Sequence, residues 1–217
     1  WHHRAYSAEV QSFQLKVKAI KKENTTLDMT YENNTSGRWI FVKGGSFIMG
    51  NNNGNKDERP EHKVEFESFY INKYEVTVEE YINFLNTIGC SGNGRYKDEV
   101  YGYVTYVDMS VLHCPVEYSG ENFKFIKTKI HPTANCPVTC VTWYGANAYC
   151  RFLNGRLPRE SEWEYVAKSG NKNFILEKVA WFRENSKKRM HAVGRLLPNK
   201  IGIFDIYGNA WEWCSNK

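Results

Sequence analysis

No stretch of this sequence comes near the ~18 consecutive apolar residues that a membrane-spanning helix needs. No apolar segment follows Trp1-His2-His3-Arg4, so there is no signal peptide to read, and the start at Trp1 is expected to be a processed or truncated end. Charge of one sign is scarce. The net charge is only +5, and the densest basic run, Lys187-Lys188-Arg189, lacks the interleaved aromatics of a nucleic-acid platform. That run reads as a solvated loop, and no nucleic-acid partner is expected. Cysteine is sparse and irregularly placed, at positions 90, 114, 136, 140, 150 and 214, with Cys136 and Cys140 the one close pair. A zinc site would need a second pair at matching spacing, which His131 alone does not supply. Buried thiols, or a disulfide or two, are expected instead.

What is present is core material. Hydrophobic residues make up 41% of the 217 and aromatics 15%, which excludes pervasive disorder and suffices for one domain with a small appendage. Phe13, Leu15, Val17 and Ala19 alternate with polar residues, as do Leu27, Met29 and Tyr31, so residues 13 to 31 read as a hairpin. Asn33 to Gly37 reads as a linker. Residues 1–36 are therefore either the end of an upstream β domain or extra strands on the domain that follows. Trp39–Val42 and Ser46–Gly50, with Gly44-Gly45 between them, suggest a second hairpin. Val64 and Phe66 share one strand phase while Phe69 and Ile71 share the other, which implies a bulge near Ser68.

Thr77-Val78-Glu79-Glu80 is a capping box, followed by Val78, Tyr81, Ile82 and Leu85 at helical spacing and a stop at Gly89. Residues 90 to 135 predict loops with short strands. Further helices are expected over 142–153 and 160–168, and an aromatic-rich loop over 201–217. No βαβ rhythm runs through these elements, so the fold class is α+β.

Four blocks, in order, carry a resemblance. They are Gly45-Ser46-Phe47-Ile48-Met49-Gly50 with Asp57 to His62; Glu75-Val76-Thr77 leading into Tyr81 and Phe84; Val141-Thr142-Trp143 through Ala148-Tyr149-Cys150, Arg156-Leu157-Pro158 and Glu162-Trp163-Glu164-Tyr165; and Val193-Gly194 through Asp205 to Gly208-Asn209-Ala210-Trp211-Glu212-Trp213. Residues 38 to 217 resemble the sulfatase-modifying-factor, or formylglycine-generating-enzyme-like, family, whose fold is a variant of the C-type-lectin-like fold. Residues 1–36 would then be a β-hairpin appendage and 37–217 the family domain. One departure is Arg159, where the family usually carries Thr as the helix N-cap, a loss of ~1 kcal/mol that Glu160 and Glu162 would partly offset.

The resemblance also sets functional expectations. Catalytic members bind copper through two C-terminal cysteines, soft ligands suited to Cu(I). The pair follows the Trp-Glu-Trp block, and only Cys214-Ser215-Asn216-Lys217 follow it here. No copper and no catalytic residue are carried over. Three readings stand: an enzyme of the family cut short, a non-catalytic module binding a protein or carbohydrate ligand, and a scaffold subunit docked through residues 1–36. The tyrosine- and glycine-rich stretch from Gly92 to Tyr118 suits either a binding surface or packed loops. Calcium-binding members use a loop like Asp205 to Glu212, so the resemblance implies a structural calcium ion on Asp205, Gly208, Ala210 and Glu212. That chemistry suits a hard cation that takes carboxylates and carbonyls together. An extracytoplasmic location is implied on the same ground.

Overall fold

Alternation of apolar and polar residues and a few strong caps lay out three helices and nine short strands among the described residues. The structure, a computed structural model, describes residues 37–170 and 175–215 and the backbone of 14–17. The second strand expected at 27–31 and the linker residues before Gly37 lie outside these.

Strands β1 (Gln14–Val17), β2 (Trp39–Val42) and β5 (Phe69–Glu75) form one antiparallel sheet in the order β1-β5-β2. Strands β3 (Gly45–Met49) and β4 (His62–Phe66) form a separate pair. The hairpin expected between 39–42 and 46–50 therefore does not exist, because β2 pairs with β5 and β3 with β4. The change of phase between Phe66 and Phe69 is likewise no bulge. It marks where the chain leaves one sheet for the other.

The two crossings touch. A Cβ on Gly44 would sit 2.7 Å from the Ser68 amide nitrogen, so no side chain fits there, and the Gly44 amide donates to Ser68 Oγ at 2.8 Å.

Helix α1 (Val78–Thr87) begins as its capping box requires. The Glu80 amide donates to Thr77 Oγ1 at 3.2 Å and the Thr77 amide to Glu80 Oε2 at 2.9 Å, satisfying two donors that a helix start leaves open. Its apolar stripe buries Val78, Tyr81, Ile82, Phe84 and Leu85. The poorly periodic middle folds into two hairpins, β6 (Arg95–Asp98) with β7 (Gly102–Thr105) and β8 (Val116–Tyr118) with β9 (Phe123–Phe125).

Helix α2 (Trp143–Phe152) is capped by Thr142, whose hydroxyl accepts from the Gly145 amide. Helix α3 (Glu160–Lys168) starts without a side-chain cap from Arg159, as the sequence implies. Glu162 takes over. It accepts the Arg159 amide at 2.8 Å and is held by both Arg156 guanidinium nitrogens at 2.7 and 2.6 Å. Burial alone would raise its pKa, but the hydrogen bonds and charge of Arg156 prevail and lower it.

Two larger apolar clusters result, with a small third made by Cys136, Met190 and Ala210. One packs α1 and α2 against the two hairpins, with Phe84 in ring contact with Tyr81, Tyr106, Tyr149 and Phe152. The other packs β2, β4 and β5 against α3 and the loop bearing Ile203 and Ile206. Residues 201–215 add no helix or strand, as expected for an aromatic-rich loop. No described helix is long and apolar enough to cross a membrane.

Candidate functional site

The 205–212 loop is held by a residue far from it in sequence. The last residue of β5, Glu75, is fully buried and reaches into it, accepting Asn209 Nδ2 at 2.7 Å and the Ala210 amide at 3.2 Å. Asn209 also accepts the His191 amide, donates to the His191 carbonyl, and sends its own amide to Trp181 O. Both Asp205 and Asn209 sit at positive φ, 56° and 68°, a conformation that Asp and Asn tolerate better than most residues. Gly208 plays another part. It is not among the glycines at positive φ; a Cβ there would stand 2.1 Å from the Trp181 carbonyl oxygen, so close approach is what requires glycine.

Asp205 and Glu212, the two carboxylates expected from the sequence, are both drawn inward. Asp205 is 2% exposed, and its Oδ2 accepts the Gly194 amide at 2.7 Å. Its Oδ1 is buried with no hydrogen-bond partner, and burial pushes its pKa up to about 6. Glu212 accepts the indole N–H of Trp163. Glu75 feels the negative charge of both, and its pKa is raised well above the carboxylate range, first by burial and then by Asp205 and Glu212. A buried carboxylate oxygen lacking a donor is a fit for a hard cation. Among the described residues no three Asp, Glu, His or Cys side chains form a metal cage, so an ion here would draw on main-chain carbonyls as well. Gly208 O already accepts the Ala210 amide at 2.9 Å, which folds the loop tightly between the two carbonyls named from the sequence.

Sequence reasoning missed Glu75 as part of this loop. It stands inside a recognised block, but 134 residues separate it from Asn209 and no spacing signals the contact.

Of the thiols, that of Cys136 packs with Met190 and Ala210 beside this loop. Cys136, fully buried, points its Sγ at Met190 O, while Cys140 is turned by a φ of 64° toward Cys114, with which its thiol shares a hydrogen bond. The pair adjacent in sequence is thus not the pair adjacent in space. Cys90 lies against Arg95 O, where burial raises its pKa to about 11, and Cys150 is fully buried on α2.

A third feature is aromatic. Tyr101, in the β6–β7 turn, meets Trp143 and Tyr144 edge-on at 5.8 and 5.2 Å, and the Arg151 guanidinium lies 5.7 Å from its ring centre. Arg151 is fixed by the buried carboxylate of Asp98, which also accepts the Tyr106 hydroxyl. Val100 and Tyr103 beside it are 65% and 68% exposed.

The sequence profile of the sulfatase-modifying factor enzyme 1-like domain matches residues 25–217, and the chain belongs to that family. Among its relatives, it is 33% identical over 190 residues to the serine/threonine-protein kinase pkn1 of Chlamydia pneumoniae, covering 82% of this chain and 27% of that protein. To the formylglycine-generating enzyme of Mus musculus it is 25% identical over 218 residues, covering 82% of this chain and 58% of the enzyme. The chain thus spans between about a quarter and three-fifths of these curated relatives. In fold it is similar to PvdO from Pseudomonas aeruginosa, with a TM-score of 0.59 at 23% identity over 82% of this chain and 69% of that one.

Proposed function

We propose that this domain is a non-catalytic binding module of its family, with a calcium ion bracing the 205–212 loop and an aromatic face that takes a protein or carbohydrate ligand outside the cytoplasm. The observation that carries the reading is the clamped aromatic face of the β6–β7 turn. Tyr101 is held by two aromatic edges, a guanidinium and the Asn147 amide at 3.3 Å, so its position is set before any ligand arrives. A surface ordered in advance loses little conformational freedom on binding, and tyrosine offers a large contact area with few torsions to fix. Exposed Val100 and Tyr103 extend it. The likeness to about a quarter of a protein named as a kinase supports a module serving a larger protein. The C-type-lectin-like relationship implied by the sequence belongs to this same reading.

Affinity capture and a glycan array, both run with wild type and Tyr103→Ala, test it. A ligand retained by wild type and lost at least tenfold in Tyr103→Ala is the expected result. Equal retention by both proteins would place the binding surface elsewhere, and no retention on either platform would overturn the reading.

The second reading is conversion of a substrate cysteine to formylglycine. It is favoured by the likeness to the mouse enzyme, of which the chain spans 58%.

A further inference from the structure

Cys114 and Cys140 meet across two loops that nothing in the sequence relates. Cys114 closes the segment between β7 and β8, and its amide donates to Val111 O at 3.1 Å. Cys140 precedes α2, and its carbonyl accepts the Asp108 amide at 2.8 Å, which ties the two loops together beside the thiols. Val107 and Val141 bridge the same loops as an isolated antiparallel pair. The residues just before the cysteines, His113 and Thr139, are themselves joined through one buried ring. The His131 Nε2 lies 3.1 Å from Thr139 Oγ1, and the same imidazole bonds the main chain of His113. His113 and Cys140 both take positive φ, 66° and 64°.

A cavity of about 520 Å3 opens onto this junction, lined by Met109, His113, Cys114, Val116, Tyr118 and Ile126 among others. Cys114 lines that cavity and Cys140 does not.

We propose that Cys114 and Cys140 form a thiol–disulfide site, oxidised by a low-molecular-weight disulfide that enters the cavity and reaches Cys114 first. The Cys114 thiolate attacks one sulfur of the incoming disulfide, the external S–S bond breaks, and one small thiolate leaves. The Cys140 sulfur, losing its proton, then attacks Cys114 Sγ and expels the second small thiolate. Two protons pass from the cysteines to the two departing thiolates, and two electrons pass from the protein dithiol to the external disulfide. The order follows from access and from charge. The hydrogen bond from Cys140 stabilises a thiolate on Cys114 and lowers its pKa, while the same bond and burial raise that of Cys140. The product would staple the start of α2 to the wall of the cavity and enclose the β8–β9 hairpin in a covalent loop.

The test uses the full chain, equilibrated with oxidised and reduced glutathione at graded ratios, quenched by alkylation and mapped by peptide mass spectrometry. The expected result is loss of two alkylatable thiols and a linked peptide pair containing Cys114 and Cys140, while Cys90, Cys136 and Cys150 stay unlinked. Cys140→Ser should accumulate a glutathione adduct on Cys114, and Cys114→Ser should leave Cys140 unmodified. Should either variant fail to give a native circular-dichroism spectrum, the wild-type map alone decides. A Cys136–Cys140 link, or both Cys114 and Cys140 still fully alkylated after equilibration with oxidised glutathione, would overturn the proposal.

Discussion

His131 is a neutral imidazole in a place that cannot hold a charged one. It is 1% exposed, and burial lowers its pKa from 6.5 to about 4. In the unfolded chain the ring takes up a proton as the pH falls through 6.5, while the folded ring resists until about 4. The unfolded state therefore binds more protons across that window, and folding stability drops as the pH falls. The loss from this one residue should approach roughly 3 kcal/mol by pH 4 and vanish above pH 7. Urea unfolding of wild type and His131→Gln at pH 7, 5.5 and 4 checks this, and the variant should show a visibly flatter dependence. An equal slope would mean that other groups set the acid response. The sequence offered His131 only as an insufficient zinc ligand, since the Thr139 and His113 contacts that explain it depend on loop geometry. Glu75 is similar: its block was legible, its reach to Asn209 was not.

Helix starts were the most legible elements. The Thr77–Glu80 box and the stripe through Leu85 follow from local hydrogen-bonding and from periodicity, both written in adjacent residues. Leu85 is fully buried in the larger cluster, so Leu85→Ala should cost ~2–5 kcal/mol in urea unfolding. A loss under about 1 kcal/mol would show that the helix repacks around the gap. Trp163 on α3 is half-buried and donates to Glu212, so its truncation couples that helix to the loop rather than emptying a core. Strand pairing was less legible. The apolar segments between residues 39 and 71 are legible, but the sequence suggests pairing 39–42 with 46–50 and reads 64–71 as one bulged strand. In fact β5 recruits β2 and β1, and the β3–β4 pair is set apart against α3, where Phe47 and Phe66 contact Tyr165. Periodicity reports which face is buried. It does not report which strand lies alongside.

For the molecule as a whole, the family and its mixed architecture were readable because several short blocks kept their order over most of the chain. The calcium proposal is tested at this scale. Calcium should raise the melting temperature of wild type by several degrees, with little response in Glu212→Ala or to magnesium, which demands a tighter octahedral shell. Equal responses in wild type and variant would exclude the loop. These 217 residues should also form no formylglycine when incubated with copper, reductant, oxygen and a Cys-x-Pro-x-Arg peptide. An aldehyde product seen by mass spectrometry would restore the oxidase reading. The contact between Gly44 and Ser68 has a practical meaning of its own. Because the chain leaves β2 and returns to β5 through neighbouring points, residues 44–67 make a closed detour with a single doorway. Its tip, at Asn52 and Asn53, is exposed. A peptide or small domain spliced there would be carried on a docked hairpin, leaving the β2–β5 register untouched. The fold thus comes with a display handle, on a different hairpin from its aromatic face.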